Sequence, residues 1–382
     1  MDQIDNGFVR VSSGGFMRNG KPYYIRGANY WYGMNMGALL GGDRSRLETE
    51  LDQLKTMGCN NLRIMAGSEG PNDQKQLFRM QPSLMTSPGN YNESVFQGLD
   101  YLLDAMGKRD MTAVVTLSNF WHWSGGFSQY VAWVTNTIPP YPTRDPETWG
   151  VFTQYTSQFY NNDTIRHLSN DLFKAHIRVV QGRQNVFNGK VYRNDPVIMS
   201  WQIANEAQAA PKFWYDDVAK FIKQGTKHQL VSSGIESKLD YTDFLNAHSS
   251  SFIDYCTCHL WVENWGIYKA DDPASLKSAL VYATDYINTR AGWAADVGKP
   301  MVLEEYATLV KQYKGFVGSN FWSYSGIGRS TDLPNNYSMV WIGDPPHEPR
   351  GWYSVYDQDT TVNVIQQHYM ALKDLELKGL GT

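Results

Sequence analysis

Cysteine is scarce in this chain: Cys59, Cys256 and Cys258 are its three, and the odd number leaves at least one thiol free. No disulfide framework can be built from them. Cys256 and Cys258, two apart in the β-like run FIDYCTCHL, point to the same face of one strand about 6–7 Å apart, poorly placed to bridge, and read as small buried apolar groups. Zinc is as poorly served. C-x-C-H has no second ligand pair at metal spacing, the histidines are scattered singly, and only His122 and His259 stand at predicted strand ends. Long apolar runs are missing: nowhere do about 18 apolar residues follow one another, the length that spans a bilayer, and MDQIDNGFVR has no signal-like apolar core. No membrane partner is therefore expected. Neither sign of charge dominates, and a net charge of −4 offers no basic field for a phosphate backbone, so nucleic acid is not an expected partner. Charged residues, at 19%, are too few and too mixed for a disordered chain. Repeats, low-complexity tracts and linker-like runs are absent, so residues 1–382 are expected to form one soluble domain.

What is abundant is aromatic surface. Aromatic residues make up 14% of the chain, with 13 Trp and 24 Tyr, and many stand beside Gly, Asn and Ser instead of inside apolar runs. Such faces suit sugar rings, whose CH patches stack on them while the hydroxyls are hydrogen-bonded. Burial in the core is the competing use, expected for roughly half of these positions. The 42% hydrophobic content supplies a sizeable core, and the length fits either two average domains or one elaborated (β/α)8 barrel of roughly 200 to over 400 residues.

The pattern along the chain favours the barrel. GFVRVSSGGFMRNGKPYYIRG is predicted to open as a hairpin turning at Asn19-Gly20, a pair favoured in type I′ turns. Eight short apolar, β-branched runs are found at 23–31, 60–66, 111–120, 197–206, 229–234, 252–260, 300–306 and 317–325. Between them lie stretches such as SRLETELDQLKTMG, ESVFQGLDYLLDAMGKRD, FWYDDVAKFIKQGTK and SLKSALVYATDYINTRAGWAADVG, with apolar residues at helical spacing. Near-continuously apolar strands alternating with helices indicate a parallel sheet buried on both faces, and eight such units predict closure into a (β/α)8 TIM barrel. A doubly wound open sheet is the competitor, but no G-x-G-x-x-G follows the first run. Residues 67–92, 123–150 and 330–359, rich in Gly, Pro and Asn, are predicted to be long loops walling a large substrate. One crossover is short: fifteen residues separate Glu305 from Phe321, so it is either truncated or a segment is absent from the sequence.

Polar and aromatic residues collect where the runs end: Asn29 to Trp31, Arg63, Asn119 to Trp123, Asn205-Glu206, His259 to Trp261, Glu304-Glu305 and Trp322. In a (β/α)8 barrel these C-terminal strand ends converge on one mouth. Glu206 ends the fourth run and Glu305 the seventh, on opposite sides of that mouth. Hydrolysing a glycosidic bond needs a proton for the leaving oxygen and attack or charge stabilisation at the anomeric carbon; two carboxyls about 5–5.5 Å apart deliver both with retention. A single strand-end Glu is more often a rim salt bridge. Two of them, accompanied by Asn205, Arg63, His259 and Trp322, fit that blander reading less well.

These runs resemble glycoside hydrolase family five, and within it the β-mannanases. WQIANEAQ (201–208) resembles the strand-four signature ending Asn-Glu, which implies Glu206 as acid/base. PMVLEEYA (300–307) resembles the strand-seven signature Glu-aromatic-Gly, which implies Glu305 as nucleophile; strand alternation would then point Glu304 the other way. NNLRIMA supplies the strand-two Arg as Arg63, HLWVENWG the strand-six His as His259, and NFWSYSGIGR the strand-eight Trp as Trp322. GANYWYG, NFWHWSGGFSQYVAW and DPPHEPRGWYSVYD extend the likeness, in order, over nearly the whole chain. The resemblance implies cleavage of internal β-1,4-mannosidic bonds in mannan, glucomannan or galactomannan by double displacement, without a cofactor. Glu206 would be protonated and Glu305 ionised beside Arg63 and His259. Asn205 would hydrogen-bond the sugar 2-hydroxyl, Trp322 would floor the sugar whose bond is cleaved, and Trp31, Trp121, Trp123 and Trp261 are candidate platforms. For the adjacent Asn205 and Glu206 both to reach the mouth, a bulge is expected in the strand. The implied partner is a β-mannan polysaccharide or manno-oligosaccharide, and the implied location secreted or periplasmic, with any signal peptide outside these residues.

Three departures bear on the roles. Ala207-Gln208 stands where many members have Pro-Arg, Ala307 replaces a Gly, and Trp261 stands where many relatives have a Tyr whose hydroxyl contacts the nucleophile. If Trp261 does not supply that contact, His259 or a water must. An exo-acting β-mannosidase on the same fold is the alternative, with the long loops closing one end of the cleft. Another β-1,4-glycanase specificity, such as cellulase, shares the carboxylates but not the mannanase-like loops. A non-catalytic glycan-binding barrel would use the aromatics but has no need of both glutamates with Arg63 and Asn205. Acidic loops leave room for a structural calcium.

Overall fold

A computed structural model describes residues 6–73, 79–142, 147–269, 271–306, 316–326, 341, 343–346, 348 and 353–378. Strands β1 (Ile25–Asn29), β2 (Asn61–Met65), β3 (Thr112–Thr116), β4 (Ile198–Gln202), β5 (Leu230–Ser232), β6 (Cys256–Leu260), β7 (Met301–Tyr306) and β8 (Phe316–Phe321) pair in the order β5-β4-β3-β2-β1-β8-β7-β6. Every pairing is parallel, and a bridge between Ser232 and Tyr255 brings β5 against the start of β6 to close the ring. This is the (β/α)8 barrel the eight runs predict. All residues of β2 to β8 are buried, because the barrel interior covers one face and the helices the other; that is why the runs read as near-continuous apolar stretches.

Helices Arg44–Thr56, Glu93–Lys108, Asp163–Gly182, Lys212–Gly225, Tyr241–His248, Ser275–Asp296 and Thr361–Lys378 alternate with the strands. Four of them begin on a side-chain cap: Asp43, Asn92, Asn162 and Asp240 each accept a hydrogen bond from a backbone N–H of the first turn, a contact worth about 1 kcal/mol. No described helix is long and apolar enough to cross a membrane. The three cysteines are buried and unbridged.

The N-terminal segment carries one strand more than the expected hairpin. Arg10–Ser12, Gly15–Arg18 and Lys21–Tyr23 form an antiparallel sheet. Its second turn is the predicted one, with Asn19 at φ +52° and Gly20 at +71°, and its first repeats the device at Ser13 and Gly14. Val9, Phe16 and Tyr23 pack on Ile25, Met199, Leu230, Tyr255, Val302 and Val317, so this sheet plugs the barrel floor, opposite the mouth.

Two predicted loops hold structure of their own. Helix Gly126–Thr135 lies within 123–150, ending at Asn136 in the left-handed conformation, and Met85–Ser87 pairs with Asn90–Tyr91 within 67–92. Gly and Pro in these stretches punctuate short elements instead of excluding them. Most of the third loop, 330–359, lies outside the described residues, as does the body of the short crossover, 307–315.

Candidate active site

β4 ends at Gln202, and the chain continues to a parallel bridge between Asn205 and Asn119. The bulge expected at Asn205-Glu206 is not what brings both side chains to the mouth, since the register shift between β3 and β4 lies back at Ala113/Val114. Glu206 instead takes φ +51°, a left-handed turn of the backbone that costs a non-glycine residue about 1–2 kcal/mol. The turn is held from below: Glu206 N–H donates to the Gly234 carbonyl at 2.8 Å. Gly234, at φ +77°, comes so close that a Cβ there would sit 2.1 Å from the Ala204 carbonyl.

A second irregularity lies on the Glu305 side. Pairing between β6 and β7 slips between Cys258 and His259, whose partners are Leu303 and Glu305. Glu304 is skipped, and the alternation that would turn it away from Glu305 is broken there. Both carboxyls therefore face the barrel interior, contrary to the alternating pattern. Glu305 accepts hydrogen bonds from Arg63 Nη1 and, at 3.0 Å, from Trp261 Nε1. Glu304 accepts from Gln202 Nε2 at 2.9 and 2.7 Å. The indole N–H of Trp261 thus supplies the contact to Glu305 that the sequence left open.

Arg63, rising from β2, ties the two sides together. It donates from Nη2 to Asn205 Oδ1 at 2.6 Å, from Nη1 to Asn29 Oδ1 at 3.0 Å and from Nε to Gln202 Oε1 at 2.8 Å. His259 is wholly buried between the acids, its Nδ1 lying 2.6 Å from Glu206 Oε1 and 3.3 Å from Glu305 Oε2. The second oxygen of Glu206 accepts from Trp121 Nε1 at 2.5 Å. Trp121, a candidate platform by sequence, is thereby also a donor to the predicted acid/base.

A cavity of about 340 Å³ opens over these groups, lined by Asn205, Glu206, Glu305, Trp121, Trp123, Trp261 and Trp322 among others. The aromatic walls stand edge to face, with Trp322 5.8 Å from Trp261 and 6.4 Å from Trp123. Trp31 is not among the lining residues. It is buried behind Trp123, at 5.4 Å, and donates to the Gly343 carbonyl at 2.9 Å, so its indole serves the scaffold. Sequence reasoning missed Glu236, which lies two residues beyond the Gly that ends the fifth run. The strand-end rule that found the other acids, carried slightly further, would have reached it. Its carboxyl accepts from Gln208 Nε2 at 3.2 Å. Lys238, Asn264 and Trp265, beyond the fifth and sixth strand ends, also line the cavity.

Charge is distributed unevenly. Burial alone would lower the His259 imidazole, but the surrounding charges of Glu305, Glu206 and Glu304 overcome it and push the pKa up to about 10. Burial likewise raises Glu206, yet the hydrogen bond and charge of His259, with the Trp121 donor, hold it below the usual carboxylate range. Glu305 is raised, by burial and then by the charge of Glu206, against His259 and Arg63. These shifts favour a proton on His259, one hydrogen bond from Glu206, where the sequence reading places it on Glu206 itself. Glu236 is pushed up to about 8 by burial and by the charge of Glu206. Ligand atoms of Glu206, His259 and Glu305 lie within 4.8 Å of one another, near enough to surround a cation. Arg63 already brings a positive charge to that cluster, and indole N–H groups occupy a carboxylate oxygen on each side, so the donor set fits proton transfer better than metal binding.

A pH dependence follows for any reaction needing Glu305 ionised and one proton on the His259–Glu206 pair. Activity should fall on the acid side through a pKa above the ordinary Glu value, and on the alkaline side only as the imidazolium is lost. His259→Asn should draw the alkaline limb of kcat/KM to lower pH, since the proton then rests on Glu206 alone. A limb that stays in place would remove His259 from the proton path.

Paired carboxyls across the mouth of an eight-stranded barrel are the arrangement that glycoside hydrolysis uses. The family description "GH family 5 beta-mannosidase-like" matches residues 6–309 and 307–377, and the chain belongs to that family. It is 50% identical to the glycoside hydrolase family 5 mannosidase of Rhizomucor miehei, covering 98% of this chain and 100% of that one, with a TM-score of 0.93. Glutamate-to-alanine variants of that protein have been solved, one in complex with mannosyl-fructose. It is also 26% identical over 325 residues to mannan endo-1,4-beta-mannosidase 5 of Solanum lycopersicum, covering 79% of this chain and 71% of that protein.

Proposed function

We propose that this chain is a retaining β-mannoside hydrolase that removes mannose from the ends of short manno-oligosaccharides. The observation that carries the chemistry is the closeness of the acids: an oxygen of Glu206 and one of Glu305 come within 4.8 Å, which supports the short carboxyl separation of retaining enzymes, roughly 5–5.5 Å, over the roughly 6.5–9.5 Å that leaves room for an inverting water. Glu305 attacks the anomeric carbon as Glu206 passes a proton to the leaving oxygen, so the glycosidic bond breaks while a glycosyl ester forms. Glu206, now a base, takes a proton from water, which displaces Glu305 and restores both groups. Asn205, held by Arg63, is in reach of the sugar 2-hydroxyl, and Trp322 floors the ring. The two glutamates replaced in the Rhizomucor miehei variants are spaced along their chain as Glu206 and Glu305 are along this one, which supports the same pair.

The size of the substrate is argued from the cavity. At about 340 Å³ it stands near the lower end of the roughly 300–1,000 Å³ of small-molecule sites, room for a short saccharide. The Tyr353 hydroxyl donates to Asn264 Oδ1, joining the segment after β8 to the loop after β6 beside Trp261. The half-identical relative called a mannosidase supports the same choice. Internal cleavage of β-1,4-mannan is the second reading, favoured by the further tryptophans Trp121, Trp149 and Trp265 that line the cavity and by the name of the tomato relative. A mannan-degrading role also proposes action outside the cytoplasm, where such polymers are met.

Incubation with soluble galactomannan and with mannotriose, following viscosity, reducing ends and free mannose together, separates the readings. Mannose release with viscosity nearly constant is expected. A steep viscosity loss with few new ends would establish internal cleavage, and inertness toward both would end the assignment to mannosides.

A further inference from the structure

One buried acid has no place in the double displacement. Glu304 is wholly buried on β7, and it is not among the cavity-lining residues. A carboxylate in such a position is expensive to desolvate, and an apolar residue of similar volume often serves stability equally well. We propose that Glu304 is a positioning residue: from below the catalytic pair it orients Arg63 and His259 so that they meet Glu305 and Glu206. The inference rests on the hydrolytic reading above and adds to it a residue that touches neither substrate nor reacting atoms.

The case begins with an amide. Both Glu304 oxygens accept from Gln202 Nε2, and a carboxylate can only accept. Gln202 must therefore aim its NH2 at Glu304 and its Oε1 the other way, where it accepts from Arg63 Nε at 2.8 Å and Thr116 Oγ1 at 2.9 Å. A flipped amide would confront Arg63 Nε donor to donor. With Nε fixed, the planar fork delivers Nη1 to Glu305 and Nη2 to Asn205.

The second line runs through the imidazole. His259 Nε2 is buried with no hydrogen-bond partner among the described residues, and Glu304 Oε2 stands 3.8 Å away. Nδ1, on the opposite edge of the ring, meets both catalytic acids. An anion beneath Nε2 favours a proton on both nitrogens, and so a donor facing Glu206. The other charged or titratable groups around this pair are Glu206 and Glu305 above, Arg63 at 3.8 Å from Glu304, Glu236 beside His259, and Tyr255 and Cys258 near Glu304, both pushed up chiefly by burial.

Glu304→Gln keeps the volume and removes the charge and the acceptor-only character. With mannotriose and an aryl β-mannoside, its kcat is expected to fall about 10- to 100-fold, the effect of misplacing catalytic groups by up to an ångström, while KM stays within about threefold of wild type and the melting transition remains cooperative. Counting functional sites by the burst of released phenol corrects for any unfolded fraction. Independently of any substrate, the His259 ring signal followed by NMR should titrate at lower pH in the variant than in wild type. A kcat within twofold of wild type, a loss carried by KM, or an unmoved His259 titration would overturn the proposal. Wild-type protein inert toward mannosides would instead sink the functional reading, with the His259 titration still deciding the role of Glu304. If Glu304→Gln does not fold, Gln202→Met severs the same link to Arg63, and full kcat in that variant would overturn it equally.

Discussion

Glu305→Ala is expected to reduce turnover of mannotriose by about 10⁴-fold or more, as the removal of a covalent nucleophile does elsewhere, and to do so with every mannoside tested. The reason for the breadth is that no leaving group, however activated, can replace the missing attack at the anomeric carbon. Folding should survive. The variant takes away one carboxylate from a cluster holding three, leaving Arg63 with Asn205, Asn29 and Gln202 as partners, and Trp261 can turn its N–H toward the cavity it already lines. Circular dichroism and a thermal melt check this, and steady-state rates check the rest. A variant within tenfold of wild type would show that some other group attacks.

Glu206→Ala is expected to behave differently with different substrates. With mannotriose, whose leaving group is a sugar hydroxyl, the loss should be about 10²- to 10⁴-fold, the range of general acid catalysis. An aryl mannoside with an acidic phenol needs no proton to leave, so its first step should be nearly unaffected and a glycosyl–enzyme ester should accumulate, since water lacks its base. Azide, a nucleophile that needs no deprotonation, should then restore turnover and yield mannosyl azide of retained β configuration. Rates with the two substrates, with and without azide, decide the matter. Equal losses on both and no rescue would strip Glu206 of the acid/base role, and an α-azide would contradict retention.

Much of this site is legible in the sequence because the barrel puts all C-terminal strand ends in one place. Once eight buried runs are recognised, Arg63, Glu206, His259, Glu305 and Trp322 are collected without any knowledge of side-chain geometry. The rest depended on departures from regularity, which an apolar pattern does not record. The slip opposite Glu304 moves its carboxyl from the wrong face to the right one, and only a pairing register reveals that. Glu206 reaches the mouth through a single backbone torsion instead of a bulge. In the sequence Trp121 is a stacking face and Trp261 either a face or a donor to Glu305; each donates through its edge to a carboxylate, and the difference is a rotamer. Trp31 stands at a strand end like the others but spends its indole on Gly343. The raised pKa of His259 is a collective result of three carboxyls around one buried ring, legible only once distances are known.

The left-handed backbone at Glu206 has a consequence for how the protein can change. Glycine would adopt that torsion at no steric cost, so the proposed acid/base is a residue the fold itself would not choose. Position 206 is a place where durability and activity pull in opposite directions. A lineage or a laboratory selection rewarding robustness alone would drift there toward glycine or asparagine and arrive at a sturdier barrel with an idle mouth.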